Sequence, residues 1–276
     1  MIFTDCVPPD DTPPNVFYYP TTLEAVRELA SSRLGVEVAL HGPRKLCDMK
    51  PTYGMLFEEH LSDFDFWGFC DLDIIWGNIR SFWTDEILDN HDLVTTRKEL
   101  VAGHMCILRN SPDCRRLPLE HPRFREIMQD PNHHWYDEKG FSEWVTMSAN
   151  AGRIRVYWPS YMINFHQPVD DSPSVLSWLD SYKWDQGRLY SLSENGEEIL
   201  YLHFMNWKDT LKWCQVDPLK EGAPLMINYC SISTPGCPPP GIYRIKMCVQ
   251  TLSKPKLYIL HIYRWFRRIK CVQAKR

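Results

Sequence analysis

Asp71 and Asp73 flank Leu72 in the segment CDLDIIWG, and their type and spacing point most directly to chemistry. Residues two apart in an extended chain point the same way, so both carboxylates are expected to face one cation. The apolar run FDFWGF precedes them and IIW follows, leaving the acids as the only polar groups on a segment expected to be buried. Burying two like charges without a counter-ion is strongly unfavourable, so a bound cation is the economical reading, against the plainer one of two solvated loop acids. Oxygen ligands select hard ions such as manganese or magnesium, which commonly bridge protein carboxylates to phosphate oxygens. Such an ion acts as a Lewis acid, stabilising negative charge on a departing diphosphate. In LHFMNWK, His203 ends an alternating strand and Lys208 lies five residues on. A neutral imidazole can complete the metal sphere and an ammonium can meet a phosphate, although a His and Lys pair alone is more often structural or solvent-facing.

The elements that must position these groups follow from the rest of the chain. Its 276 residues, 44% of them hydrophobic, suffice for one substantial core or one core with a small appendage. Ten scattered cysteines include no Cys-x-x-Cys pair, which excludes a zinc ribbon and a thioredoxin-type motif. Cys70 and Cys106 sit in apolar runs, as small buried hydrophobes do, and a reducing cytosol is expected. The opening MIFTDC does not read as a secretory signal, and no window approaches twenty uncharged apolar residues. The net charge is −4, but ten Lys and Arg and no acids follow Glu221, so the preceding residues carry about −14. An acidic body disfavours a nucleic-acid partner.

Ile2-Phe3 reads as a short strand opening into a Pro-rich loop through Pro14. Thr21 with Glu24 forms a capping box for a helix that Gly35 stops, and a second helix runs from Pro51 to Leu61. Phe64 to Phe69 reads as a strand covered on both faces, followed by strands over 92–96 and 103–108. A helix from Glu138 to Ala149 ends at Gly152 and RIRVYW returns as a strand. This alternation predicts an α/β fold with a mostly parallel sheet. YKWDQGRLYSL and EILYLHFMNW read as two strands paired around Glu194-Asn195-Gly196.

Taken in order, KLCDMKPTYG, FDFWGFCDLDIIWGNIR, VAGHMCILRN, YDEKGF and LHFMNWK resemble an uncharacterised bacterial family of polysaccharide-biosynthesis glycosyltransferases. They are similar, more distantly, to retaining family 8 and family 32 glycosyltransferases. The resemblance covers roughly residues 1 to 210 and implies a GT-A-like fold: a mixed, mostly parallel sheet flanked by helices. It implies Asp71, Asp73 and His203 as metal ligands and Lys208 as a diphosphate contact. The late motif departs from family 8, which has a glycine between the His and the Lys and one more residue of spacing. KLCDMK resembles the Lys-x-x-Asp-x-x-Arg segment near the nucleotide and donor sugar, implying Lys45, Asp48 and Lys50, the last a lysine where an arginine is usual. VAGHMCILRN implies Ala102, Gly103 and His104 at the sugar pocket, where a glycine permits close approach. YDEKGF implies that Asp137 orients sugar hydroxyls and that Glu138 faces the anomeric carbon; in an inverting enzyme one of them is the general base. Asp5 resembles a base-contacting position. The family has a further strand and loop before IFTDC, so the chain as read is expected to be a fragment or to have a nucleotide pocket open on one side.

The resulting expectation is a metal-dependent glycosyltransferase, moving a sugar from a nucleotide-diphosphate donor, with UDP favoured, to a glycan or lipid-linked acceptor in polysaccharide biosynthesis. Its transferase domain spans 1–215, a Pro-rich wrap or linker 216–252, and a basic amphipathic helix 253–276. The tail interleaves Trp265 and Phe266 with Arg264, Arg267 and Arg268. It suits either peripheral contact with an anionic membrane from the cytoplasm or packing on the domain. Two other classes stay open: a non-catalytic carbohydrate- or partner-binding module on a degenerate transferase fold, and a metal-dependent phosphoester hydrolase, which lacks a second carboxylate cluster here.

Overall fold

A computed structural model describes residues 1–159, 181–192, 196–204, 222–228 and 231–234. In chain order its elements are β1 (Ile2–Thr4), β2 (Tyr18–Pro20), α1 (Leu23–Leu34), α2 (Leu46–Met49), α3 (Tyr53–Leu56), β3 (Phe66–Cys70), β4 (Ile74–Trp76), α4 (Ile79–Phe82) and α5 (Asp85–Asn90). There follow β5 (Leu93–Thr95), β6 (Met105–Arg109), α6 (Pro112–Arg116), α7 (Phe124–Gln129), α8 (Phe141–Asn150) and β7 (Val156–Tyr157). The last are β8 (Ser181–Asp185), β9 (Arg188–Ser191), β10 (Glu197–Ile199), β11 (Tyr201–His203), β12 (Leu225–Asn228) and β13 (Ser231–Ser233). The chain divides into two compact units: residues 1–72 with 84–160, and residues 73–83 with 161–276.

The first unit is built on the sheet β3-β6-β5-β7. β6 runs antiparallel to both β3 and β5, and only β5–β7 is parallel. The mostly parallel sheet expected from the sequence is therefore corrected to a mixed one. The reason is loop length: a parallel neighbour needs a crossover of roughly a dozen residues or more, and the loop from Thr95 to Met105 is too short. Between β5 and β7, by contrast, lie α6, α7 and α8, which supply such a crossover. β3 is not covered on both faces either. Trp67 and Phe69 are buried, while Gly68 and Cys70 on the other face are exposed. Cys106, its cross-strand partner at Phe69, is fully buried as expected; Cys70 is not.

Helices complete this core. α1 buries Val26, Ala30 and Leu34, one turn apart on one face. Its cap is Thr22, not Thr21: the Thr22 hydroxyl accepts from the Ala25 N–H, and Gly35 ends the helix with φ of 61°. The single helix expected from Pro51 to Leu61 is broken into a 3₁₀ turn containing Pro51, the short α3 and a second 3₁₀ turn over Glu58–His60. Before α8, residues Tyr136–Gly140 form a π-helical turn, entered through Trp135 in the left-handed region with φ of 54°. Leu93, Leu108, Met128, Phe141 and Val145 are essentially inaccessible, each such burial contributing roughly 2 kcal/mol.

In the second unit, β4 pairs antiparallel with β11, matching Ile74 with His203 and Trp76 with Tyr201. An antiparallel sheet of order β10-β9-β8-β12-β13 buries Tyr182, Leu189, Ile199 and Ile227 in a small core with Leu202 and Phe204. The segment read as one strand, YKWDQGRLYSL, is two: Gln186 and Gly187 both take positive φ, 49° and 79°, and close a two-residue hairpin between β8 and β9. The hairpin around Gly196 is present, with Ile199 opposite Leu189, although Glu194 and Asn195 lie outside the described residues. Residues 225–228 and 231–233, within the stretch read as a wrap, form two strands of this sheet. Among the described residues no helix is long and apolar enough to cross a membrane, and the basic tail lies outside them.

Candidate functional site

In the first unit, residues from four separate segments converge. Lys45 and Asp48, three apart, form an ion pair of 3.0 Å with both side chains buried. The Lys45 ammonium also donates to the main-chain carbonyls of Ile127 (2.5 Å) and Asn132 (3.0 Å), so its three hydrogens are all taken up within the protein. Asp48 accepts from the backbone N–H groups of His134 (2.9 Å) and Tyr136 (2.8 Å), which binds the start of the π-helical turn to α2. A buried charge pair is tolerable only when its remaining donors and acceptors are satisfied in this way.

Lys50 stands one turn further on. Its ammonium donates to Asp71 at 2.6 Å and to the Gly103 carbonyl at 2.7 Å, and it lies 3.6 Å from the Asp137 carboxylate. Burial pulls the Lys50 pKa down, but Asp71 and Asp137 more than offset it and hold the ammonium above its usual range. Asp137, 5% exposed, is pushed up to about 7, chiefly by burial, with Lys50 opposing and Glu138 reinforcing. Gly103 is required by close approach: a Cβ there would come within 2.5 Å of the Asp137 carboxylate and 2.6 Å of the Glu138 side chain. The close approach expected toward a sugar is thus, in this structure, one toward these two acids. Ala102 is fully buried, its N–H donating to Thr95, and His104 is buried beside it, its carbonyl accepting from the Asp71 N–H. Asp5 is exposed beyond β1, the Cys6 thiol 3.7 Å from its carboxylate.

His133 was not singled out from the sequence. Its Nε2 lies 3.7 Å from Asp48 Oδ1, its side chain is 10% exposed, and neither ring nitrogen has a hydrogen-bond partner. The ring packs on Trp135, centroids 4.7 Å apart. Burial is the main cause holding its pKa below the usual histidine range, which keeps the imidazole neutral. The available signal was the pair His133-His134, separated from YDEKG by Trp135 alone.

The chain passes from the first unit to the second between Leu72 and Asp73, so the two aspartates belong to different units. Leu72 is 83% exposed, so this is not the wholly buried segment that the flanking apolar runs suggested. Within the second unit, β4–β11 pairing brings the Asp73 carboxylate to 3.4 Å from His203 Nε2, with His203 only 2% exposed. The Phe204 N–H donates to the Asp73 carbonyl at 2.8 Å and closes the same ladder. Lys208 lies outside the described residues.

A family model, a family of unknown function designated DUF6625, matches residues 1–221. The chain belongs to this family. The DUF6625 match takes in every candidate metal, donor-binding and catalytic residue, from Asp5 to Lys208, and stops ahead of the basic tail. No curated protein and no solved structure matches the chain significantly.

Proposed function

We propose that this DUF6625 member is a metal-dependent glycosyltransferase that uses a nucleotide-diphosphate sugar, UDP-linked by preference, and a glycan or lipid-linked acceptor. The observation that carries the reading is the approach of Asp73 and His203, far apart in sequence, to 3.4 Å in a carboxylate–imidazole pair. Asp71 precedes Asp73 by two residues, and two carboxylates with one imidazole suit Mn²⁺ or Mg²⁺. When bound, such an ion supplies Lewis-acid stabilisation of the leaving diphosphate.

The chain's own groups take the remaining roles. Lys208 meets the diphosphate as a point charge, and Asp5 contacts the base. Asp137 orients sugar hydroxyls and Glu138 faces the anomeric carbon, or one of the two deprotonates the acceptor. An Asp137 pKa near 7 suits a group that exchanges a proton at neutral pH. Lys50 counters the charge of Asp71 and Asp137, while Lys45 holds Asp48 in place. From the segment before β6, Gly103 borders Asp137 and Glu138, and the His104 carbonyl accepts from the Asp71 N–H.

A second reading, a non-catalytic carbohydrate- or partner-binding module, is favoured by the Lys50–Asp71 pair, which already neutralises one of the three ligands. Calorimetry with UDP separates the two. The transferase reading expects heat of binding only when Mn²⁺ is present and its loss in Asp73→Ala protein of unchanged circular dichroism. Absence of a Mn²⁺-dependent signal in the wild-type chain sinks it.

A further inference from the structure

Asp48, His133 and Asp137 lie wholly within the first unit, and one donor atom from each falls within 4.8 Å of the others. Carboxylates near each other are not evidence of a ligand. The histidine is a different kind of observation, because its side chain is nine-tenths buried, neither ring nitrogen finds a partner, and Nε2 faces Asp48. An unmade buried hydrogen bond is costly, so a side chain held in that state signals a missing partner.

The carboxylate of Asp48 borders the same gap. Oδ2 receives Lys45 and the His134 N–H, and Oδ1 receives the Tyr136 N–H and, at 3.2 Å, a share of the His134 N–H. Oδ1 also stands opposite His133 Nε2 at 3.7 Å, beyond hydrogen-bonding range. Asp137 brings a second carboxylate to this gap. The nearby ammonium of Lys45 is fully engaged, and that of Lys50 donates to Asp71 and the Gly103 carbonyl and lies 3.6 Å from Asp137. A neutral water could bridge the imidazole and Asp48 but would add no positive charge beside Asp137, which Lys50 meets only at 3.6 Å. A divalent cation would satisfy the imidazole and neutralise the acid together, and bonds of about 2.1 Å need only sub-ångström inward movement from the present spacing.

We infer that Asp48, His133 and Asp137 form a divalent-cation site, separate from Asp71, Asp73 and His203, that fastens the π-helical turn to α2. The donor set of two carboxylates and one imidazole is suited to Mn²⁺. This goes beyond the proposed sugar transfer and does not depend on it.

The test is electron paramagnetic resonance titration of the chelator-stripped full-length chain with Mn²⁺ alone, counting ions bound per chain. One equivalent is expected to disappear in His133→Ala, with circular dichroism unchanged, and to survive in Asp73→Ala. If instead the equivalent disappears in Asp73→Ala and His133→Ala keeps the wild-type count, the inference is overturned while the transferase reading stands. A wild-type chain that binds no ion overturns both. Should His133→Ala fold poorly, His133→Gln replaces it, and a folded His133→Gln with the full count is equally fatal. Independently, the ion retained by Asp73→Ala/His203→Ala protein must show nitrogen coupling from an imidazole, and its absence overturns the site.

Discussion

The Lys50 ammonium lies 2.6 Å from the Asp71 carboxylate, joining the end of β3 to the helical segment after α2. The same ammonium reaches Asp137, so one cation serves two acids from distant parts of the chain. Replacing it by an apolar residue of similar length leaves Asp137 buried with less compensation. Lys50→Met is expected to cost about 2–3 kcal/mol in urea unfolding, the range for stranding a buried charged group. Lys50→Arg, which keeps the charge, should recover part of that loss.

The raised pKa of Asp137 makes stability depend on pH. The group's ordinary value is 3.8 and its folded value about 7, so the folded state holds the proton more tightly. Its contribution is fully present below about pH 4 and is lost as pH rises through about 7. At 1.36 kcal/mol per unit the swing is at most roughly 4 kcal/mol. In chelator-treated protein, the difference in stability between wild type and Asp137→Asn should shift in the variant's favour by an amount of that order between pH 4 and pH 8. A flat difference across that window rules out a buried, proton-holding Asp137.

Gly103→Ala places a methyl group where Asp137 and Glu138 already sit. The neighbours include the buried carboxylate of Asp137, so the clash cannot be relieved cheaply, and a loss of roughly 1–3 kcal/mol is expected. Thermal unfolding followed by circular dichroism reads it directly. A neutral result would mean that the loop before β6 moves freely away from the π-helical turn.

Lys45→Met should be more damaging than any surface substitution, costing about 3–5 kcal/mol, because Asp48 would remain as a buried charge without its cation. Removing both charges in Lys45→Met/Asp48→Leu should not restore stability. Asp48 also receives the N–H groups of His134 and Tyr136, and these would then be stranded. Chemical denaturation of the single and double variants checks both statements.

Thr22→Ala should lower stability by about 1 kcal/mol through loss of the α1 cap, whereas Thr21→Ala should be close to neutral. The pair also shows how far the sequence could be read. The helix, its apolar face and its glycine stop were all visible in residues 21–35, but two adjacent threonines each satisfy a capping pattern. Only the backbone geometry distinguishes them. Short strands were legible where β-rich runs are bounded by turns, as at β1, β5 and β6. Strand direction was not, because helical and strand segments alternate in this chain much as they would in a parallel sheet. The Gln186-Gly187 hairpin escaped notice since Gln is an uncommon residue for a left-handed turn position.

The convergence of Lys50, Asp71, Gly103 and Asp137 could be anticipated only through the ordered set of motifs. His133 could not, since its significance lies in burial without a partner, a property that no spacing pattern encodes.

Residues 73–83 belong with the later part of the chain, although they are embedded within the earlier part. No single cut can therefore excise either half intact. A recombinant fragment ending at residue 160 would carry β4 without β11, exposing the edge of Ile74–Trp76 as a bare template for intermolecular association.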